Sequence, residues 1–387
     1  MEKKFKIEPI CLVLFVLTFV LRGLTDTFLI SKGYVGQLDN IKYIPLFIGL
    51  VISIIYFIKN NIKISNEFVG IIKHGFIVII FFFIWSLILT IKTGKFCLET
   101  INELTYISLA LLYAYFTLSI LKFESILLAL KIVLYISITF YILEIGIKNF
   151  FTFSNYLKIN FIESSSPFES NYFSGIAFVL FLFMAFYSDK KRHIIISAFF
   201  TLFTFKRVTF VFTIIILVMV LLFPKIRKIK IKTKFPMIIG ILFSIITVSY
   251  FNALVNGSNL IGNITGQSLV GFTMSRNNFL YKLLNGGYVS YGFGSSTDFT
   301  SKSLEMDLIK IYIELGFPFL LIFCIEYFSM CKNNLFSTII LTVCFINLLF
   351  SFSLTSPFTW TITFMAISLV NKKGFDFNDK NFIFTRF

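Results

Sequence analysis

The chain has 387 residues, 57% of them hydrophobic and 14% charged, with a mean hydropathy of +0.88. A soluble domain of this length carries about 25% charged residues, so a water-soluble globule is excluded and a bilayer is the solvent that can absorb the apolar surface. The net charge of +16 does not point to nucleic acid, because the cations sit mainly in short loops, where they orient spans and meet anionic lipid.

In hydrocarbon the backbone must satisfy its own hydrogen bonds, so only helices and closed barrels cross. The apolar runs here are continuous and do not alternate, which excludes barrel strands. Runs long enough for about 30 Å of hydrocarbon fall at 9–30, 41–58, 69–91, 104–121, 126–147, 172–187, 194–206, 208–223, 236–255, 306–328, 335–352 and 356–370. This pattern predicts an all-α fold, a polytopic bundle of about 12 spans forming a single integral membrane domain over 1–387. The first run lacks a small-residue cleavage site and reads as a retained anchor. Runs 194–206 and 208–223 meet at Lys206-Arg207, as one long helix or a tight hairpin. The abundance of Phe, 54 residues, follows from a base-composition bias and marks no cofactor site.

Placing Lys3, Lys4 and Lys6 in the cytoplasm and alternating puts Lys59, Lys63, Lys122, the Lys190-Lys191-Arg192 cluster, the run from Lys225 to Lys234, Lys332 and Lys372-Lys373 on the same side. The positive-inside rule favours that orientation, with both termini cytoplasmic. Two long segments then face outside, 148–171 and 256–305, the second rich in Gly, Asn and Ser. Loops of this length usually carry function or lack order. The five cysteines are scattered without CxxC or metal-ligand spacing, and His74 and His193 lie far apart. The sequence therefore supplies neither a metal site nor a cofactor motif.

Polar residues stand out at three places on the outer face. Lys206 and Arg207 are adjacent cations between apolar runs, where burying Arg costs several kcal/mol unless it is paired or wetted. They read either as snorkelling to headgroups or as an anion site, to which the planar Arg fork is suited. Arg276, with Lys282 nearby, lies in the large loop ahead of Gly286-Gly287 and Tyr291-Gly292-Phe293-Gly294-Ser295. Glu305-Met306-Asp307 is followed by Lys310, Glu314 and Gly316. Glu305 is expected at a helix start, where the dipole favours a carboxylate, and Lys310 and Glu314 have the spacing of an i,i+4 ion pair.

Taken in order, these elements resemble the Wzy-type O-antigen and capsular polysaccharide polymerases, a family related to the O-antigen ligases. Ser303-Leu304-Glu305-Met306-Asp307 through Gly316-Phe317 is similar to the stretch that follows that family's large periplasmic loop, and Tyr291-Gly292-Phe293-Gly294 to its glycine-rich loop. Phe203-Thr204-Phe205-Lys206-Arg207 resembles the stretch bearing a Ser-Arg pair, with Lys in place of Ser. Ser166-Pro167-Phe168-Glu169-Ser170 resembles its Glu-Pro-Ser element, although no Pro follows Glu169. The likeness covers about residues 170–320.

The resemblance implies a glycosyltransferase of the bacterial plasma (inner) membrane. It would pass a glycan from undecaprenyl diphosphate to the terminal sugar of a new lipid-linked repeat unit, without a nucleotide sugar. Expected partners are the undecaprenyl-diphosphate-linked oligosaccharide, membrane lipid, and a chain-length regulator and flippase. Glu305, Asp307, Arg207 and Arg276 are the expected catalytic residues; Lys206, Lys282, Glu169 and Glu314 are the expected substrate contacts. Two alternatives stay open. An O-antigen ligase would typically carry His near position 305, and neither outer loop has one. A lipid-linked oligosaccharide flippase would need charges along a path through the membrane, where Lys131 and Glu144 are the main ones.

Overall fold

A computed structural model describes residues 7–30, 37–62, 66–160, 166–188, 190–223, 226, 229–256, 266, 268–273, 275–351 and 354–370. Among these residues the secondary structure is all helical, with no strand. α1 (Ile7–Leu24) runs into a π-helical turn (Thr25–Ile30), and a 3-10 segment (Gln37–Tyr43) leads into α2 (Ile44–Lys59). α3 (Asn66–Thr93), α4 (Leu98–Ile120) and α5 (Phe123–Ile145) follow, then the short α6 (Ile147–Phe151) and α7 (Phe153–Tyr156). Next come α8 (Asn171–Tyr187), α9 (Lys191–Phe203), α10 (Arg207–Leu222) and α11 (Lys234–Val255). The polar stretch after α11 holds α12 (Leu269–Thr273), α13 (Arg276–Asn285) and α14 (Ser295–Thr300). The chain closes with α15 (Asp307–Leu315), α16 (Phe317–Ser329), α17 (Leu335–Phe350) and α18 (Pro357–Val370).

Among the described residues, six helical stretches are long and apolar enough to cross a membrane: Ile7–Phe28, Asn40–Lys59, Phe68–Thr93, Leu98–Ile120, Phe123–Ile145 and Lys234–Val255. At 1.5 Å per residue they extend about 30 to 39 Å. Shorter apolar helices among the described residues lie at Phe173–Tyr187, Arg207–Leu222, Phe317–Ser329, Leu335–Phe350 and Pro357–Leu369. Their outward side chains suit lipid. On α3, Ile80, Phe81, Phe83, Ile84, Leu87, Ile88 and Ile91 are all exposed, a patch that water would not tolerate.

The breaks between helices have local causes. Phe205 adopts φ +49° and separates α9 from α10, so the run through Lys206-Arg207 is two helices rather than one. Gly316, at φ +87°, separates α15 from α16, and Pro318 stands in the first turn of α16. The expected continuous span 306–328 is therefore broken, because a residue with that φ cannot extend an α-helix. Ser170 caps α8 by accepting from Phe173 N, and Asn334 caps α17 by accepting from Ser337 N, each satisfying a helix-end donor.

The chain divides into two compact units. One comprises Met1–Phe68, Leu112–Arg227 and Thr361–Phe387; the other comprises Val69–Leu111 and Lys228–Trp360. In the first, α8 is buried nearly all round from Val179 to Tyr187, and the Tyr187 hydroxyl donates to Ala366 O at 2.7 Å. The first unit also holds a buried charge cluster. Asp26, in the π turn, receives Arg22 Nε at 3.2 Å and Lys42 Nζ at 3.3 Å. In the second, Gly240 of α11 lets the helix approach α16 closely: a Cβ there would lie 2.7 Å from Cys324 O. Lys230 makes an isolated antiparallel bridge with Asn334, held by Ile231 N to Asn333 O and Leu335 N to Ile229 O.

Candidate active site

The second unit gathers most of the residues singled out from the sequence. α13 is seated by Leu280 and Leu283, which join Leu254, Leu304, Met306 and Ile309 in one buried cluster. The Tyr281 hydroxyl donates to Leu254 O at 3.1 Å. At the start of α13, Ser275 takes φ +67°, and Thr273 Oγ1 donates to Asn277 Oδ1 at 2.9 Å. These contacts fix the backbone from which Arg276 projects. Lys282 lies on the exposed face of the same helix, away from that cluster.

Glu305 is held from both sides. Leu304 and Met306 are buried at 2% and 1% exposure, so the carboxylate between them is forced outward. The helix start expected at Glu305 falls two residues later, at Asp307, with Glu305 itself at φ +53°. A left-handed residue cannot open an α-helix; the bend it makes turns the chain into α15. There Arg276 Nε donates to Glu305 Oε2 at 3.1 Å, the side chains being 20% and 55% exposed. Tyr250 and Phe279, partly buried on the apolar cluster, flank this corner. Lys302 Nζ stands 5.8 Å from the Phe279 ring centroid.

Behind the pair, the polar residues of α15 turn inward. Asp307 is 2% exposed, and its Oδ2 accepts from Leu354 N at 2.8 Å. Glu314 is equally buried. Its Oε2 accepts from Gly294 N at 2.7 Å, and its Oε1 from Ser296 N at 2.9 Å and Ser296 Oγ at 2.5 Å. The i,i+4 spacing suggested that Lys310 would pair with Glu314. The Lys310 ammonium is attracted by both Glu314 and Glu103, gives its hydrogen bond to Glu103 of α4 and lies 5.4 Å from the Phe293 ring centroid. A buried ammonium needs a partner, and tertiary packing brings Glu103 to it.

The glycine loop is thus clamped. Phe293 N donates to Ser86 Oγ of α3 at 2.9 Å, and Thr100 Oγ1 of α4 donates to Phe293 O. Gly292 and Gly294 have φ of +139° and +86°, and a Cβ on Gly294 would stand 2.9 Å from Glu99 Cβ. The Tyr291 hydroxyl donates to Asp298 Oδ2 at 2.6 Å. Desolvation, then the neighbouring Asp298, raises the Tyr291 phenol well above its ordinary range, so it stays a donor.

The remaining candidates belong to the first unit. The Tyr141 oxygen of α5 lies 2.9 Å from Phe168 O and 2.6 Å from Phe203 O, sharing its one hydrogen between them. It ties the turn that carries Glu169 to the end of α9. Phe168 packs against Tyr156 and Phe205 at centroid distances of 4.4 and 5.7 Å. Glu169, Lys206 and Arg207 are half-buried around this aromatic knot. Among the described residues, no group of three or more His, Cys, Asp or Glu side chains could hold a metal ion.

Sequence reasoning missed Glu103, Ser86 and Thr100. One signal was available for Glu103: it is an ionisable residue in a helix long and apolar enough to cross a membrane, and ionisable residues in spans come with partners. No protein family, curated protein or solved structure matches the chain.

Proposed function

We propose that the chain is a polysaccharide polymerase that joins repeat units carried on a lipid diphosphate. In this reading the shorter apolar helices complete a bundle of about twelve spans, both termini are cytoplasmic, and the segment 256–305 faces outward from the plasma membrane. The observation that carries it is the Arg276–Glu305 pair, a guanidinium and an exposed carboxylate within hydrogen-bond distance at the edge of that segment.

The chemistry asks for those two groups. The acceptor hydroxyl is a poor nucleophile until its proton is taken, and Glu305 is the proposed base. The acceptor oxygen bonds to the anomeric carbon of the donor glycan as the bond from that carbon to the diphosphate oxygen breaks. The electron pair leaves with the lipid diphosphate, whose growing charge Arg276 stabilises by a few kcal/mol. The proton ends on Glu305. Asp307 and Glu314, buried and engaged by Leu354 N and the 294–296 backbone, support the fold of this corner. Lys206 and Arg207 form a separate candidate for anion binding in the first unit, and Lys282 and Glu169 are candidate sugar contacts.

The test is the surface glycan of a deletion strain, complemented with wild-type or Arg276→Ala protein. Single repeat units in place of long chains support a polymerase. Unattached glycan of full length points to the ligase reaction, and repeat units trapped inside the cell point to a flippase.

A further inference from the structure

We propose that the Arg276–Glu305 ion pair is a latch, opened when the diphosphate of the donor takes Arg276 and frees Glu305 for the acceptor. This inference rests on the transferase reading above and adds an order of events to it.

The two halves of the pair are held differently. Arg276 rises from a helix anchored by Leu280, Leu283 and Tyr281, and its side chain is 20% exposed. The Glu305 side chain is 55% exposed, while Leu304 and Met306 bury the chain on either side. Rotation of the Glu305 side chain can therefore open the pair without moving backbone, and Arg276 stays in place. The contact joins Nε to one carboxylate oxygen. A guanidinium has five N–H donors, and a diphosphate offers more charge and a bidentate match. An exposed carboxylate is a weak competitor for such a ligand, because exposed pairs are worth little.

While the latch is closed, Glu305 Oε2 is occupied by Arg276 and the acceptor hydroxyl meets a carboxylate that faces elsewhere. Once donor is bound, the carboxylate is released beside the site where the leaving group sits. Base and electrophile are then assembled together, as in enzymes whose correct substrate completes the catalytic site.

The test is binding of radiolabelled farnesyl diphosphate to the purified full-length chain in nanodiscs. Glu305→Gln should bind about three- to fivefold tighter than wild type, the gain expected from removing one exposed competing carboxylate. Glu305→Ala should show the same gain, and Arg276→Ala should lose at least about tenfold. In a polymerisation assay Glu305→Gln should lower the donor KM as it lowers kcat. If Arg276→Ala loses binding and neither Glu305 variant gains any, the latch is overturned and the diphosphate site stands. If Arg276→Ala binds as wild type does, the diphosphate reading fails and the latch fails with it.

Discussion

The ammonium of Lys310 is buried against the carboxylate of Glu103, 207 positions earlier in the chain. Side-chain exposures of 2% and 7% leave neither group any water to fall back on. Removing one partner of such a pair typically costs about 3–5 kcal/mol, whereas removing both costs far less. Lys310→Met should therefore lower the unfolding temperature sharply, and Lys310→Met combined with Glu103→Leu should recover part of the loss, since the buried Glu314 carboxylate still lacks its neighbouring cation. Thermal unfolding in detergent measures this. A loss in the double variant equal to the sum of the two single-variant losses would mean the pair contributes nothing as a pair.

The glycine loop offers an internal control. Gly294 and Gly287 both have positive φ, but a Cβ on Gly287 meets nothing within 4 Å, whereas one on Gly294 lies 2.9 Å from Glu99 Cβ. Gly287→Ala should cost about 1 kcal/mol from the left-handed backbone alone. Gly294→Ala should cost more, by about 1–3 kcal/mol for the overpacking, and should raise hydrogen exchange across 290–296. Similar costs at both positions would show that the loop is not clamped against α4.

Arg276→Lys should rescue polymer length poorly even though the charge is kept, because a lysine presents a point charge in place of a fork. Arg276→Ala should abolish long chains with protein level unchanged. The same pair of substitutions at Arg207 tests the first unit separately. Full-length glycan from both alanine variants would remove cationic stabilisation from the mechanism.

Topology is testable by reporter fusions. A fusion at residue 230, within the basic segment, should report cytoplasm, and one at residue 280 should report the outside. Identical readings from the two positions are incompatible with the proposed orientation.

Much of the helical character was legible because hydrocarbon demands long apolar runs; among the described residues, six of the helices are long and apolar enough to cross a membrane. Within the apolar run 306–328 the interruption at Gly316 was less legible, since a glycine in an apolar run also occurs in unbroken helices. The Arg276–Glu305 contact joins two residues that sequence order alone had placed in one outer region. Their direct pairing depends on how α13 seats its leucines on α11 and α15, a tertiary matter. Glu314 shows the opposite case. Its spacing from Lys310 favoured a local ion pair; the two charges do attract each other, but the backbone donors of Gly294 and Ser296 take the hydrogen bonds at its oxygens. A helix-surface rule gave way to packing because that face of α15 is buried. The aromatic knot around Tyr141 was invisible in a chain where Phe is common everywhere.

Glu305 stands at φ +53°, a conformation that costs a non-glycine residue about 1 kcal/mol or more and that Asn tolerates better than Glu. Glu305→Asn should therefore relax the backbone and raise the unfolding temperature while removing the carboxylate that pairs with Arg276. At this single position, thermal resilience and chemistry pull in opposite directions. Selection of heat-resistant variants of this protein should repeatedly find residue 305, and each such variant should be less active than its parent.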